Sequence, residues 1–196
     1  MSTFNTGNLK SIEYYTETAQ GMLSEKRFRH CIGTAQMCRE LAVMHGCDPE
    51  KAYLTGILHD ICKEKSGEEL IKLASLTALE PLETTEPGLL HAPAGAVYIR
   101  DELQIDDKEI FTAVRFHSIG RAGMSDFEKV IYLGDLVERG RKYPDVDKYR
   151  GYALECLDKG MYMALKWAIE AHMKNELQIS IYSCEAYNYF CKKVKG

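Results

Sequence analysis

The stretch Gly56-Ile57-Leu58-His59-Asp60-Ile61-Cys62-Lys63 sets an imidazole beside a carboxylate inside a run of apolar residues. Just upstream, Asp48 and Pro49 have the chemistry of a helix N-cap and first helical position. A helix begun there buries Leu54, Ile57, Leu58 and Ile61 at three- and four-residue spacing. Gly56, His59, Asp60 and Lys63 then fall on the adjoining stripe. A carboxylate so close to a buried face is costly unless a cation or several donors satisfy it. Taken alone, a His-Asp pair reads more readily as a core ion pair than as a site. The rest of the chain decides between the two.

Working outward, a chain of 196 residues that is 45% hydrophobic and 28% charged has room for one good core, and residues 1–196 read as a single domain. The net charge of −4 gives no general footprint for nucleic acid or for an anionic membrane. Any anion bound here must be held by a local cluster of cations. Residues 1–8 are polar and no stretch approaches a membrane span, so the expected location is cytoplasmic, with no membrane partner. The seven cysteines (Cys31, Cys38, Cys47, Cys62, Cys156, Cys184 and Cys191) include no C-x-x-C pair, which argues against a disulfide framework and against a thiolate zinc site.

Helical periodicity dominates. It predicts helices over 8–23, 27–45, the His59 segment, 66–76 and 93–103, the last with Pro93 as its first residue. A further helix starts at Asp106 and carries His117 on its last turn, and a Ser125/Glu128 capping box opens another through about residue 139. Residues 80–90 read as a loop bounded by prolines. Beyond Pro144, residues 146–177 give one or two helices, and Ser183 offers a cap for a last one. Residues 178–182 alternate like a strand, but one strand makes no sheet. The fold expected is an all-α bundle. A metal-binding core covers about residues 10–143, and the helices of 144–196 complete the core or form an oligomer contact such as a homodimer.

Four of the six histidines, His30, His59, His91 and His117, fall on four separate helical segments about 30 residues apart, the length of a helix plus its connection. Antiparallel helices bring such positions to one level. Asp60 is one carboxylate in this set. Asp135 is a second, the single charge within residues 130–137. Four imidazoles and two carboxylates suit iron, manganese or a similar divalent ion, and six ligands are about right for two ions sharing one carboxylate. His45 and His172 lack such surroundings and read as surface or packing residues. Cations accompany the ligands: Arg27 one turn before His30, Lys63 one turn after His59, Arg121 just after His117, and Arg141 after Asp135. Together they could grip phosphate oxygens, arginine in bidentate fashion and lysine as a point charge.

The spacing of His30, His59-Asp60 and Asp135 resembles the HD-domain superfamily of metal-dependent phosphohydrolases. Arg27-x-x-His30, His59-Asp60-x-x-Lys63, His91-Ala-Pro-x-Gly95-Ala, His117-Ser-x-Gly-Arg121-x-x-Met124 and Asp135-x-x-Glu138-x-x-Arg141 narrow the resemblance to the YqeK family. That family comprises symmetrical bis(5'-nucleosyl)-tetraphosphatases, which cut diadenosine tetraphosphate into two ADP at a di-iron-type centre. The match covers roughly residues 10–150. Two positions depart from the family pattern: Ser118-Ile119, where two threonines are usual, and Arg139, where proline is usual.

Carried over residue by residue, the resemblance implies a first metal held by His30, His59, Asp60 and Asp135. Asp60 bridges to a second ion on His91 and His117. A metal-bound hydroxide attacks phosphorus, while Lys63, Arg27, Arg121 and Arg141 neutralise the polyphosphate, and His91 and His117 also face the nucleotide. Asp60 and Lys63 are the residues it makes catalytic. Two readings compete: an HD-domain nucleotide phosphohydrolase of other specificity, and a module that binds nucleotide without turnover.

Overall fold

The computed structural model of the protein describes residues 10–196. The polar opening residues and the first two positions of the expected opening helix lie outside them. The described residues form eleven α-helices and no strand. They are α1 (Ile12–Met22), α2 (Glu25–His45), α3 (Pro49–Leu58), α4 (Gly67–Ala74), α5 (Pro81–Thr85), α6 (His91–Asp101), α7 (Lys108–Phe116), α8 (Asp126–Val137), α9 (Val146–Glu155), α10 (Leu157–Lys174) and α11 (Ile181–Lys195). A 3-10 turn, Pro87–Leu89, leads into α6.

Local chemistry sets the ends of these helices. Ser24 caps α2, Asp48 caps α3 with Pro49 behind it, and Ser125 and Glu128 form the expected reciprocal box at α8. Gly46 closes α2 with φ 74°, a left-handed conformation open to glycine at little cost. α2 is the hub, packed between α3 and α8. Two small residues set how closely it is approached. A Cβ on Gly56 would lie 2.6 Å from the Ala35 Cα, and one on Gly134 would collide with the Cys38 sulfur. Backbone therefore meets backbone on both sides of α2, and His30, His59-Asp60 and Asp135 are drawn to one level. Leu41, Ile57, Leu58, Ile131 and Leu133 are buried around these crossings, each contributing about 1.5–3 kcal/mol.

Several boundaries differ from the sequence reading. α3 stops at Leu58, and tight turns carry the chain on from His59 to Lys65, with Ile61 N–H on Leu58 O and Lys63 N–H on Asp60 O. The proline-bounded loop is partly helical, because Pro81 and Pro87 each supply a first helical position. α6 starts at His91, two residues before Pro93. Asp107 caps α7 in place of Asp106, accepting from the Glu109 and Ile110 amides at 2.8 and 3.0 Å. α8 ends at Val137, two residues short of Arg139. Residues 178–180 are not a strand, and Ser180 caps α11, with Ser183 supplying the N–H it accepts.

After Pro144, α10 lies against α8 and α11. Leu157, Met161, Leu165, Ala186 and Phe190 are all buried, so this region completes the core. No helix among the described residues is long and apolar enough to cross a membrane.

Candidate metal centre

Three of the four histidines stand at helix ends: His59 at the C-cap of α3, His117 at the C-cap of α7, and His91 at the start of α6 behind a 3-10 turn. Helix ends release backbone carbonyls, and each ring uses the one three residues back. His59 Nδ1 donates to Gly56 O, His91 Nδ1 to Gly88 O and His117 Nδ1 to Val114 O, all at 2.7 Å. A carbonyl can only accept, so all three rings carry a proton on Nδ1 and turn Nε2 inward. His30 lies inside α2, where the carbonyls are already used, and its Nδ1 meets Glu138 Oε1 at 3.2 Å instead.

The four Nε2 atoms converge on two carboxylates. Asp135 Oδ1 is 2.9 Å from His30 Nε2 and 3.6 Å from His59 Nε2. Asp60 divides its oxygens. Oδ2 faces His59 at 3.7 Å and His30 at 4.0 Å, while Oδ1 faces His91 at 3.3 Å and His117 at 3.5 Å. Three sets have ligand atoms close enough together to share an ion: His30-His59-Asp60, His59-His117-Asp135 and Asp60-His91-His117.

This donor set fits divalent metal. His59 Nε2 is buried without a hydrogen-bond partner, and His91 Nε2 and His117 Nε2 face one another at 3.2 Å. Both Nδ1 protons are committed to carbonyls, and a cation set between the two Nε2 atoms would take a lone pair from each. Nitrogen and carboxylate oxygen with no thiolate is the chemistry of iron, manganese or a related ion.

The electrostatics agree. Burial would raise the Asp60 carboxyl, but the imidazoles of His59, His117 and His91 hold it well below the usual carboxylate range. Burial likewise opposes the Asp135 charge and is outweighed by His30, whose Nε2 lies 2.9 Å from Oδ1, and by the His59 imidazole and Arg141 beside it. Burial, reinforced by the neighbouring His117, depresses His91 to about 3, so that ring stays neutral and able to coordinate. Burial acts against His30 too, but Asp135 and Glu138 raise it overall.

Three of the four expected cations stand at this centre. Arg27 Nη1 donates to Asp60 Oδ2 at 2.9 Å. Arg141 bonds Asp135 twice, Nη2 to Oδ1 at 2.5 Å and Nε to the backbone carbonyl at 2.9 Å. Lys63 Nζ lies 3.1 and 3.2 Å from the two ring nitrogens of His91. Burial lowers the Lys63 ammonium from its ordinary range, and Arg27 and Arg141 add to this against the pull of Asp60. Arg121 is placed differently. It forks onto Glu128 at 2.7 and 2.8 Å and forms no ion pair with the six candidate ligands. Arg139 turns to Glu40 on the surface. His45 packs with a bond to Ala153 O, and His172 lies on the surface with a bond to Ala168 O, in keeping with the surface or packing roles expected.

Two residues at the centre were absent from the candidate set. Ser118 places Oγ 3.0 Å from His91 Nε2 and 3.3 Å from His117 Nε2. Glu138 is buried behind His30. The signal for Glu138 was its position three residues after Asp135; Ser118 had only its adjacency to His117. Beside His30 a cavity of about 900 Å³ opens to solvent, lined by Lys26, Arg27, Arg29, Arg141 and Lys142 together with Glu64 and Glu138. The loop behind Asp135 is pinned from the C-terminal side, where Arg150 on α9 donates to Val137 O at 2.8 Å and to Glu138 O at 3.3 Å.

The HD domain family matches residues 27–149, a span holding every one of these candidate ligands. A "Bis(5'-nucleosyl)-tetraphosphatase, symmetrical" of Halalkalibacterium halodurans is 35% identical over 167 residues, covering 85% of this chain and 89% of that one. Its Bacillus subtilis counterpart of the same description is 33% identical, covering 85% and 90%. Among solved structures, a predicted HD superfamily hydrolase involved in NAD metabolism from Clostridium acetobutylicum superposes with a TM-score of 0.90 at 31% identity, over 95% of this chain and all of that one.

Proposed function

The chain belongs to the HD-domain family, within its group of symmetrical bis(5'-nucleosyl)-tetraphosphatases, and from that membership we propose that it hydrolyses diadenosine tetraphosphate to two ADP at a two-metal centre. The observation that carries this reading is the division of Asp60, whose two oxygens each face a separate pair of imidazoles. One ion would be held by His30, His59, Asp60 and Asp135, the other by Asp60, His91 and His117. The donor set favours iron or manganese. Divalent ions in such positions supply Lewis acidity, screening phosphate charge and lowering the pKa of a water at the site towards about 7.

The chain's own residues supply the rest. The carbonyls of Gly56, Gly88 and Val114 fix three imidazoles in the coordinating tautomer before any substrate arrives. The cation-lined cavity beside His30 has the size and charge for a polyphosphate. Arg27 and Arg141 sit where the cavity meets the two carboxylates, placed to take phosphate oxygens as well as hold Asp60 and Asp135. Lys63 is a partly desolvated ammonium over His91, positioned to stabilise charge that grows on a phosphate during bond cleavage. The test is product analysis. The enzyme supplied with iron or manganese should give ADP as the sole nucleotide product of diadenosine tetraphosphate, at two per substrate. AMP plus ATP, or no turnover with either metal, refutes the assignment.

A further inference from the structure

Glu138 has no role in the chemistry described so far, yet the structure is shaped around its side chain. It follows the last residue of α8, leaves the helix with extended backbone, and is 4% exposed. Oε1 meets His30 Nδ1 at 3.2 Å, and Oε2 accepts the Gly140 amide proton. Two glycines make the slot. A Cβ on Gly33, one turn along α2 from His30, would lie 2.6 Å from Glu138 Oε2, and one on Gly140 would lie 2.9 Å from the same atom. Neither distance is tolerable for a real side chain, so any residue larger than glycine at either position displaces the carboxylate. Arg150 holds the backbone on either side of the Val137–Glu138 junction.

We infer that Glu138 is the positioning residue of one metal site: it fixes the orientation of His30, and Gly33 and Gly140 are small in order to admit it. The need arises from helix geometry. His59, His91 and His117 borrow carbonyls that helix ends leave free, whereas His30 in mid-helix finds none and takes an acceptor from another element. A carboxylate in that role also makes the imidazole a better donor to metal. The consequence is local. Loss of Glu138 weakens the ion held by His30, His59, Asp60 and Asp135 and spares the one held by Asp60, His91 and His117. Partners of this kind are worth roughly 10–100-fold in metal affinity.

This inference rests on the two-metal reading, and the experiment separates the two. Full-length wild type, Glu138→Ala, Glu138→Gln and Gly33→Ala are loaded with manganese, equilibrated against graded chelator, and assayed for bound metal per chain. Thermal melts confirm folding. Wild type should hold two ions. Glu138→Ala should lose one of them at a chelator concentration 10–100-fold lower and keep the other. Glu138→Gln, which can still accept through its amide oxygen, should recover part of the affinity. Gly33→Ala should behave like Glu138→Ala with the carboxylate still present. Two ions held with wild-type affinity in Glu138→Ala overturn the inference alone. Equal weakening of both ions does so as well. A wild type that binds no ion overturns this inference and the two-metal reading together. If Glu138→Ala fails to fold, Glu138→Gln and Gly33→Ala carry the comparison, and wild-type affinity in both overturns it.

Discussion

Replacing Glu83 by alanine should cost the protein about 3–5 kcal/mol of stability, a penalty for a buried guanidinium left without its counter-charge. Arg115 on α7 forks onto Glu83 on α5 with both N–O distances at 2.6 Å, and the two side chains are 3% and 1% exposed. Water neither screens this pair nor replaces the lost partner. A further bond from Arg115 to Ala78 O at 2.8 Å holds the guanidinium in place, so it cannot swing out to solvent without breaking that bond too. The Glu80 amide, which donates to Glu83 Oε2 at 2.9 Å, would also lose its acceptor. For a chain of this length, each kcal/mol lowers Tm by roughly 2–4 °C, so the expected fall is roughly 6–20 °C. Urea unfolding followed by circular dichroism measures the free energy, and a thermal scan measures the Tm. The control is Glu83→Leu with Arg115→Met, which removes both charges and keeps volume. It should recover most of the loss, because an apolar pair replaces a buried ion pair at little cost. A single-variant loss below about 1 kcal/mol would refute the reasoning, as would a double variant no more stable than the single.

Other predictions concern the site, the helix crossings and the thiols. Asp60→Ala should abolish binding of both ions, whereas Asp135→Ala should leave the His91–His117 ion in place; equal metal content in the two variants contradicts the division of Asp60 between them. Lys63→Met should lower kcat on the order of 10²-fold with a smaller effect on KM, as for loss of one donor that serves the transition state; steady-state kinetics with unchanged kcat would remove Lys63 from the chemistry. Gly56→Ala should destabilise by about 1–3 kcal/mol, since its Cβ meets the Ala35 backbone, and denaturant titration checks it. In a native thiol titration Cys156 and Cys184 should react promptly. Cys31, Cys38 and Cys62 should react only on unfolding, because burial hides them and raises all three thiols, Cys62 to about 12.

The convergence of the six candidate ligands was legible because metal chemistry narrows the residue types and bundle geometry narrows their spacing. His30, His59, His91 and His117 were separable from His45 and His172 by their position relative to predicted helices, before any distance was known. What stayed hidden depended on atoms the sequence pattern does not describe. The end of α3 at Leu58 gives no breaker signal, since neither glycine nor proline follows. It is the hydrogen bond from His59 to Gly56 O and the turn at Asp60 that end it. Arg121 looked like its fellow cations because a charge next to a ligand says nothing of its direction, and Glu128, spent in the α8 capping box, was already waiting for it. Glu138 stood in the Asp135-x-x-Glu138-x-x-Arg141 pattern but carried no role there, because the space that Gly33 and Gly140 leave for it depends on a crossing the sequence does not show.

Arg150 carries a lesson about where this enzyme can be cut. The family match ends at residue 149, and the four candidate ligand histidines all lie upstream, so a designer seeking a minimal unit would trim just there. The guanidinium one position further on fastens the carbonyls of Val137 and Glu138, the segment that backs His30. An excised fragment would keep every ligand and lose the latch that keeps one of them aimed, so a transplant of this centre into another scaffold has to bring α9 along.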